Sequence, residues 1–229
     1  MDSITLYHGT DARMIDMSED ERKQYLSDCN LAIDALFPFF KPLFQWEKVE
    51  KIINNAKTFT YEYALKKYEK ALNDKYGPYG YYNLMEKIMM VDANKNNSAL
   101  YQYNDLYLYT SKEGAMRYAR SSFAGGETGL IAIRLINGAD VVFSDNLDLD
   151  DNQKKAIERV RDFAEISKAR PAIVTIDNID IDYLLLEDGE ELLKDDIQDL
   201  ICDREAIDTK FRYTKPIDLK SCKVELLKV

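Results

Sequence analysis

The chain has 229 residues, 46% of them hydrophobic, and a formal net charge of −10; that apolar content supports one large domain, or a domain carrying an insertion, and excludes a disordered chain. No run approaches the roughly 18 consecutive apolar residues of a membrane span, and the N-terminus lacks the basic start and apolar run of a signal peptide, so the expectation is a soluble, cytoplasmic protein with no membrane partner. The acidity is local: residues 177–208 hold thirteen acids and two bases, while the remainder holds 28 acids and 29 bases, which reads as a solvated helix face or as an acidic patch for a basic partner, with no broad basic footprint for nucleic acid.

In chain order, "ITLYH" reads as a short strand. "MSEDERKQYLSDCNLAIDALF" follows with apolar positions at helical intervals and Ser18 three residues ahead of Glu21, the capping-box spacing; it predicts a helix that Pro38 and Pro42 break. "QWEKVEKIINNAKTF" and "TYEYALKKYEKALNDKY" read as two further amphipathic helices, stopped at "GPYG". A fourth helix starts at Tyr81, and "NKNNSA" reads as an exposed loop.

Beyond that loop the texture changes. "DLYLYT" is strand-like, "SKEGAMRYARSSF" is a short helix with Ser111 as its cap, and "FAGGETG" is a glycine loop. "LIAIRLI" and "ADVVFS" read as two strands around a turn at Asn137 and Gly138. "DDNQKKAIERVRDFAEISKA" and "DGEELLKDDIQDLICDREA" are helical, and "PAIVTID", "TKFRYT" and "CKVELLKV" are strands. The expected fold class is α+β: a mostly antiparallel sheet core, interrupted after its first strand by a helical insertion over residues 16–92.

Several site classes fail on residue type. "AGGETG" lacks the Gly-Lys-Ser/Thr of a phosphate-cradling loop and reads as flexible. "DLDDNQ" begins like a calcium loop, but Gln153 and Arg159 replace the glycine and glutamate it needs; acids opening a helix fit better. Cys29, Cys202 and Cys222 are odd in number and scattered, with His8 the only histidine. They give neither a disulfide framework nor a metal site, and the expectation is reduced, core-packed thiols.

His8 closes the first strand. A lone histidine there is more often packed than reactive, but Gly9 follows it and leaves backbone open to a small molecule. Tyr107 falls at the end of the "DLYLYT" strand and Tyr118 eleven residues later on the next helix. Taken alone, two of sixteen tyrosines would be core residues.

Together, "LYHGT" at 6–10 and "LYLYTSKEGAMRYA" at 106–119, with a looser match of "TKFRYTKPIDLKSCKVELLKV" to closing strands, resemble the ADP-ribosyltransferase superfamily, in its diphtheria-toxin-like and poly(ADP-ribose) polymerase-like branch. The resemblance implies a split, mostly antiparallel sheet and NAD as substrate, with ADP-ribose moved to an unknown protein or nucleic-acid target. It implies that Tyr107 and Tyr118 sandwich the nicotinamide cation and that Gly9, flanked by Thr10, binds the carboxamide. His8 donates a hydrogen bond to the adenosine ribose in this reading. The family's glutamate, which stabilises the oxocarbenium-like state, falls on Lys210, with Glu205 and Asp208 the nearest acids.

That substitution sets the competing readings. One is a transferase that moves ADP-ribose from NAD to a macromolecule, with the helical insertion as a lid or target-binding element and Glu205 as the carboxylate if the closing strand is shifted in register. Another is a catalytically weak or inactive member that binds NAD or a partner protein. A third is an RNA 2'-phosphotransferase-like enzyme with a similar His-Gly start, and a fourth is an unrelated α+β domain.

Overall fold

The computed structural model describes residues 4–53, 56–95, 106–144, 146–187 and 209–228, together with positions 191, 196 and 199. At its centre lies β1 (Leu6–Asp11), which pairs antiparallel with β5 (Pro171–Ile176) along its whole length, from Leu6↔Ile176 to Asp11↔Pro171. On its other side runs β4 (Leu106–Tyr109), joined to β1 by the single pair Tyr7↔Tyr109. Next to β4 come β7 (Lys210–Tyr213) and then β6 (Leu184–Leu186), while β8 (Lys223–Leu226) edges β5. Among the described residues, the sheet has six strands in the order β6-β7-β4-β1-β5-β8, all antiparallel.

Strand alternation sorts the side chains to two faces. Leu6, Leu108, Val174, Ile176 and Phe211 form one apolar cluster. The other face receives α5 (Lys112–Ser121), whose Ala115 packs with Tyr109 and Ile173. Ser111 caps α5 by accepting from the Gly114 amide, satisfying one of its orphan donors.

A larger core lies in the helical layer. It joins α2 (Glu19–Phe40), α3 (Glu69–Tyr76), α4 (Gly80–Lys95), α6 (Glu127–Val142) and α7 (Asp151–Phe163) through buried Leu36, Phe40, Leu72, Leu84, Ile131 and Val160. The short α1 (Ala12–Asp16) links it to β1. The expected capping box is present, with Ser18 and Glu21 bonding reciprocally at the head of α2. Asp150 opens α7 with a second capping box, the helix-opening role read for its acids. Asp28, buried in α2, takes both arms of Arg159 from α7 at 2.6 Å, fixing the two helices.

Three expectations are corrected. "LIAIRLI" and "ADVVFS" are one helix, α6, running through Asn137 and Gly138. Its residues are buried on several sides, so the continuous apolar run conceals a helical period. Gly138 is where α4 closes in: a Cβ there would stand 2.6 Å from Leu84 Cδ1. The helix expected across 45–59 and the start of the one expected across 60–76 are replaced by the antiparallel pair β2 (Phe44–Ile53) and β3 (Ala56–Tyr63), in register from Phe44↔Tyr63 to Val49↔Thr58, and only residues 69–76 of the second are α-helical. The Val, Ile, Thr and aromatic content of the strand pair favours extended backbone over helix.

Pro38 does not stop α2, which continues to Phe40. Proline so close to the C-terminus removes one ladder bond rather than several, and buried Phe37 and Phe40 hold the last turn. The helices within residues 16–92 pack into the same helical layer as the later helices. Helices α2 and α4 from that stretch share one apolar cluster with α6 and α7 from beyond it. The helix expected over 188–206, apart from positions 191, 196 and 199, lies outside the described residues, as do Cys202 and most of "NKNNSA". Among the described residues, no helix is long and apolar enough to cross a membrane.

Candidate functional site

The single β1–β4 pair leaves the sheet parted beyond Tyr7, and a cleft of about 750 Å³ opens there, between the sheet and the helical layer. Its volume falls in the range of small-molecule and cofactor sites, about 300–1,000 Å³. His8, Gly9, Thr10, Tyr107, Tyr118 and Lys210 all line it. Glu205, the alternative carboxylate, lies outside the described residues.

His8 is the third residue of β1, which runs on to Asp11 instead of closing at the histidine, and it sits at the parting itself. Its Nδ1 lies 3.0 Å from the Tyr107 carbonyl, 99 positions away in sequence, so the imidazole bridges the two strands where backbone pairing has stopped. A carbonyl only accepts, so Nδ1 carries the proton and Nε2 of the neutral ring is an acceptor. Desolvation lowers the His8 pKa from 6.5, outweighing the opposing effect of that hydrogen bond, and keeps the ring neutral at pH 7. This leaves Nε2 an acceptor, where the resemblance had implied a donor.

Gly9 has a role beyond leaving backbone open. A Cβ built on it would lie 2.1 Å from the Ala115 carbonyl oxygen and 2.9 Å from the Ala119 amide nitrogen. The glycine is what lets α5 lie directly against β1, and α5 carries Tyr118 to the cleft. Tyr118 has its ring contact with Tyr109, at a centroid distance of 6.1 Å and a tilt of 39°. Tyr107, Tyr109, Tyr118 and Tyr213 all line the cleft, so its tyrosine wall has four members rather than the expected two. Strand alternation in "LYLY" was the signal for Tyr109, since it shares a face with Tyr107.

Lys210 opens β7 opposite Tyr109, confirming that an ammonium occupies the first position of that strand. Its Nζ is ion-paired to Glu187 Oε1 at 2.5 Å, just past the end of β6, and lies 6.0 Å from the Tyr109 ring centroid. A second cleft lysine, Lys215, reaches Asp180 at 3.5 Å. Two acids of the 177–208 stretch thus neutralise cleft lysines.

The helical wall adds residues that sequence reading missed: Arg22 from α2, Glu86 and Lys87 from α4, and Glu127 and Arg134 from α6. Lys87 pairs with Glu127 at 2.7 Å and with Glu86 at 3.0 Å. A lone cation inside the apolar run "LIAIRLI" was the available signal for Arg134.

A buried knot ties the end of β1 to the helical layer. Asp11, 1% exposed, accepts from Arg13 Nε and Nη2 at 2.9 and 2.8 Å and from the Arg170 amide at 3.0 Å. Arg13 in turn donates to the carbonyls of Phe123 and Phe163 at 2.7 and 2.6 Å, tying the end of β1 to the loop before Gly125 and to the end of α7. Cys29 is buried in the helical core, with its thiol pushed up to about 12 by desolvation, and is unreactive there. Among the described residues, no group of three or more histidine, cysteine or acidic side chains is placed to hold a metal ion.

No family model, no curated protein and no solved structure matches this chain.

Proposed function

We propose that the protein binds NAD in the split-sheet cleft and transfers its ADP-ribose to a macromolecular target with release of nicotinamide. The observation that carries this reading is the convergence of His8, Gly9, Thr10, Tyr107 and Tyr118 on one cleft from two segments about a hundred residues apart. The nicotinamide cation stacks against the tyrosine wall, where each favourable cation–π contact contributes about 0.5–2 kcal/mol. His8 Nε2 accepts from a ribose hydroxyl and holds the dinucleotide bent. In the reaction the glycosidic C–N bond breaks and its electron pair leaves with nicotinamide. A nucleophile of the target then captures the ribose cation and gives up its proton.

Lys210 favours a second reading, a dinucleotide-binding protein with slow turnover. An ammonium at the head of β7 opposes positive charge developing on the ribose, and the Glu187 carboxylate only offsets it. Incubation with labelled NAD, followed separately for free nicotinamide and for label on protein or nucleic acid, separates the two. Release with label on a macromolecule supports transfer. Saturable binding without release selects the second reading, and no binding rejects both.

A further inference from the structure

The cleft is cationic inside an acidic protein. Five cationic side chains and two carboxylates line it, a net charge of +3, in a chain whose formal charge is −10. Three of the five cations are answered by ion pairs: Lys210 by Glu187, Lys215 by Asp180 and Lys87 by Glu127 and Glu86. The side chains of Arg22 and Arg134 make no ion pair or hydrogen bond with any described residue.

Their placement is not that of solvated surface arginines. Arg22 shares a cleft-facing stripe of α2 with Leu26, four residues on, and Arg134 shares one of α6 with Leu130, four residues back. Both residues are half-buried, and Arg22 Nε is a buried donor without a partner. Desolvation also pulls the Arg134 pKa below its ordinary value, with only the field of Glu86 opposing it. A desolvated guanidinium with unfilled donors is unfavourable unless a ligand supplies the acceptors. The planar fork of arginine matches the oxygens of a phosphoryl group, and two forks from adjacent helices match a group with several of them.

We propose that Arg22 and Arg134 form a phosphoryl-binding subsite on the helical wall of the cleft, separate from the His8 and tyrosine wall. The phosphoryl group belongs either to the dinucleotide or to a phosphate-bearing second substrate. The subsite itself does not rest on the NAD reading.

Inorganic pyrophosphate is the probe, titrated calorimetrically into the full chain and into Arg22→Gln and Arg134→Gln. The wild-type protein is expected to bind it saturably, and each variant to lose about tenfold or more in affinity, since charge-assisted phosphate hydrogen bonds are among the stronger ones. Thermal midpoints should be unchanged or raised in both variants, because each removes an uncompensated, desolvated charge. Arg134→Lys keeps the charge without the fork and should recover only part of the affinity. Absence of saturable pyrophosphate binding by the wild type, or wild-type affinity in both folded glutamine variants, overturns the proposal.

A parallel NAD titration assigns the phosphate. If NAD and pyrophosphate compete and both weaken in the variants, the subsite serves the dinucleotide. If both bind together and NAD affinity is unchanged, it serves the second substrate. Pyrophosphate binding that follows the two arginines, in a protein with no affinity for NAD, leaves the subsite standing and removes the function proposed above.

Discussion

The imidazole of His8 and the carbonyl of Tyr107 meet at 3.0 Å across the point where β1 and β4 stop pairing. The sign of the resulting pH dependence follows from the lowered His8 pKa. The unfolded chain takes up a proton near pH 6.5 while the folded protein resists it, so this contribution to stability is complete above 6.5 and falls as the pH drops through that value. His8→Asn keeps a donor toward the Tyr107 carbonyl and cannot titrate. Denaturant unfolding at several pH values between 5 and 8, roughly the range in which histidine changes charge, should show a shallower loss of stability in the variant. Equal slopes would remove His8 as a titrating group of the cleft.

Gly9 and Ala115 are in backbone contact that leaves no room for a methyl group. Gly9→Ala should force α5 away from β1 and cost about 1–3 kcal/mol, the usual range for overpacking. In a protein of this size that lowers the thermal midpoint by roughly 2–12 °C. NAD affinity should fall with it, because Tyr118 travels on the displaced helix. A variant with native stability would show that the approach of α5 to β1 is not tight.

The tyrosine wall is tested by Tyr107→Ala and Tyr118→Ala. Each loses a ring next to the nicotinamide and should weaken NAD binding by roughly 2- to 30-fold, equivalent to about 0.5–2 kcal/mol. Phenylalanine at either position keeps the ring and should retain most of the affinity. Equal binding by wild type and both alanine variants would place the nicotinamide elsewhere.

Lys210 and Glu187 are expected to act on turnover in opposite directions. Lys210→Gln removes the charge that opposes the ribose cation and should raise nicotinamide release about tenfold, or ~1.4 kcal/mol of barrier. Glu187→Gln leaves the ammonium uncompensated and should lower it. Single-turnover release of labelled nicotinamide measures both. Slower release in Lys210→Gln would mean that the ammonium assists, for example by holding a substrate oxygen.

The Asp11–Arg13 knot should be among the most sensitive pairs in the protein. Asp11→Asn leaves Arg13 half-buried without its counter-charge, and removing one partner of a buried pair costs about 3–5 kcal/mol. The double variant with Arg13→Gln should be less destabilised than the two single variants added together, a coupling of about 0.5–3 kcal/mol for residues in contact. Chemical unfolding of all four proteins gives the cycle, and additive losses would show that the two side chains do not stabilise each other.

Some of this protein was legible in its sequence because the relevant physics is local. The capping boxes at Ser18 and Asp150, the cap at Ser111 and the strand alternation of "LYLY" depend only on residues a few positions apart. The α+β class and the antiparallel character of the sheet followed from the same signals. Local patterning failed where the environment sets the choice. Within the run "LIAIRLI" of α6 Arg134 is the single polar residue, too sparse a stripe to reveal the helical period, and the 44–63 segment mixes helical spacing with strand-forming residues.

What only the tertiary structure decided is how distant residues meet. Sequence placed His8, Tyr107 and Tyr118 on a strand end, a strand and a helix; the parted sheet set them around one cleft. It also paired Lys210 with Glu187, showed that Gly9 serves the packing of α5, and brought Arg22 and Arg134 to the same wall from two different helices. Such contacts are absent from sequence patterns because they depend on which faces of the elements bury against one another, and that is settled by the whole chain packing at once.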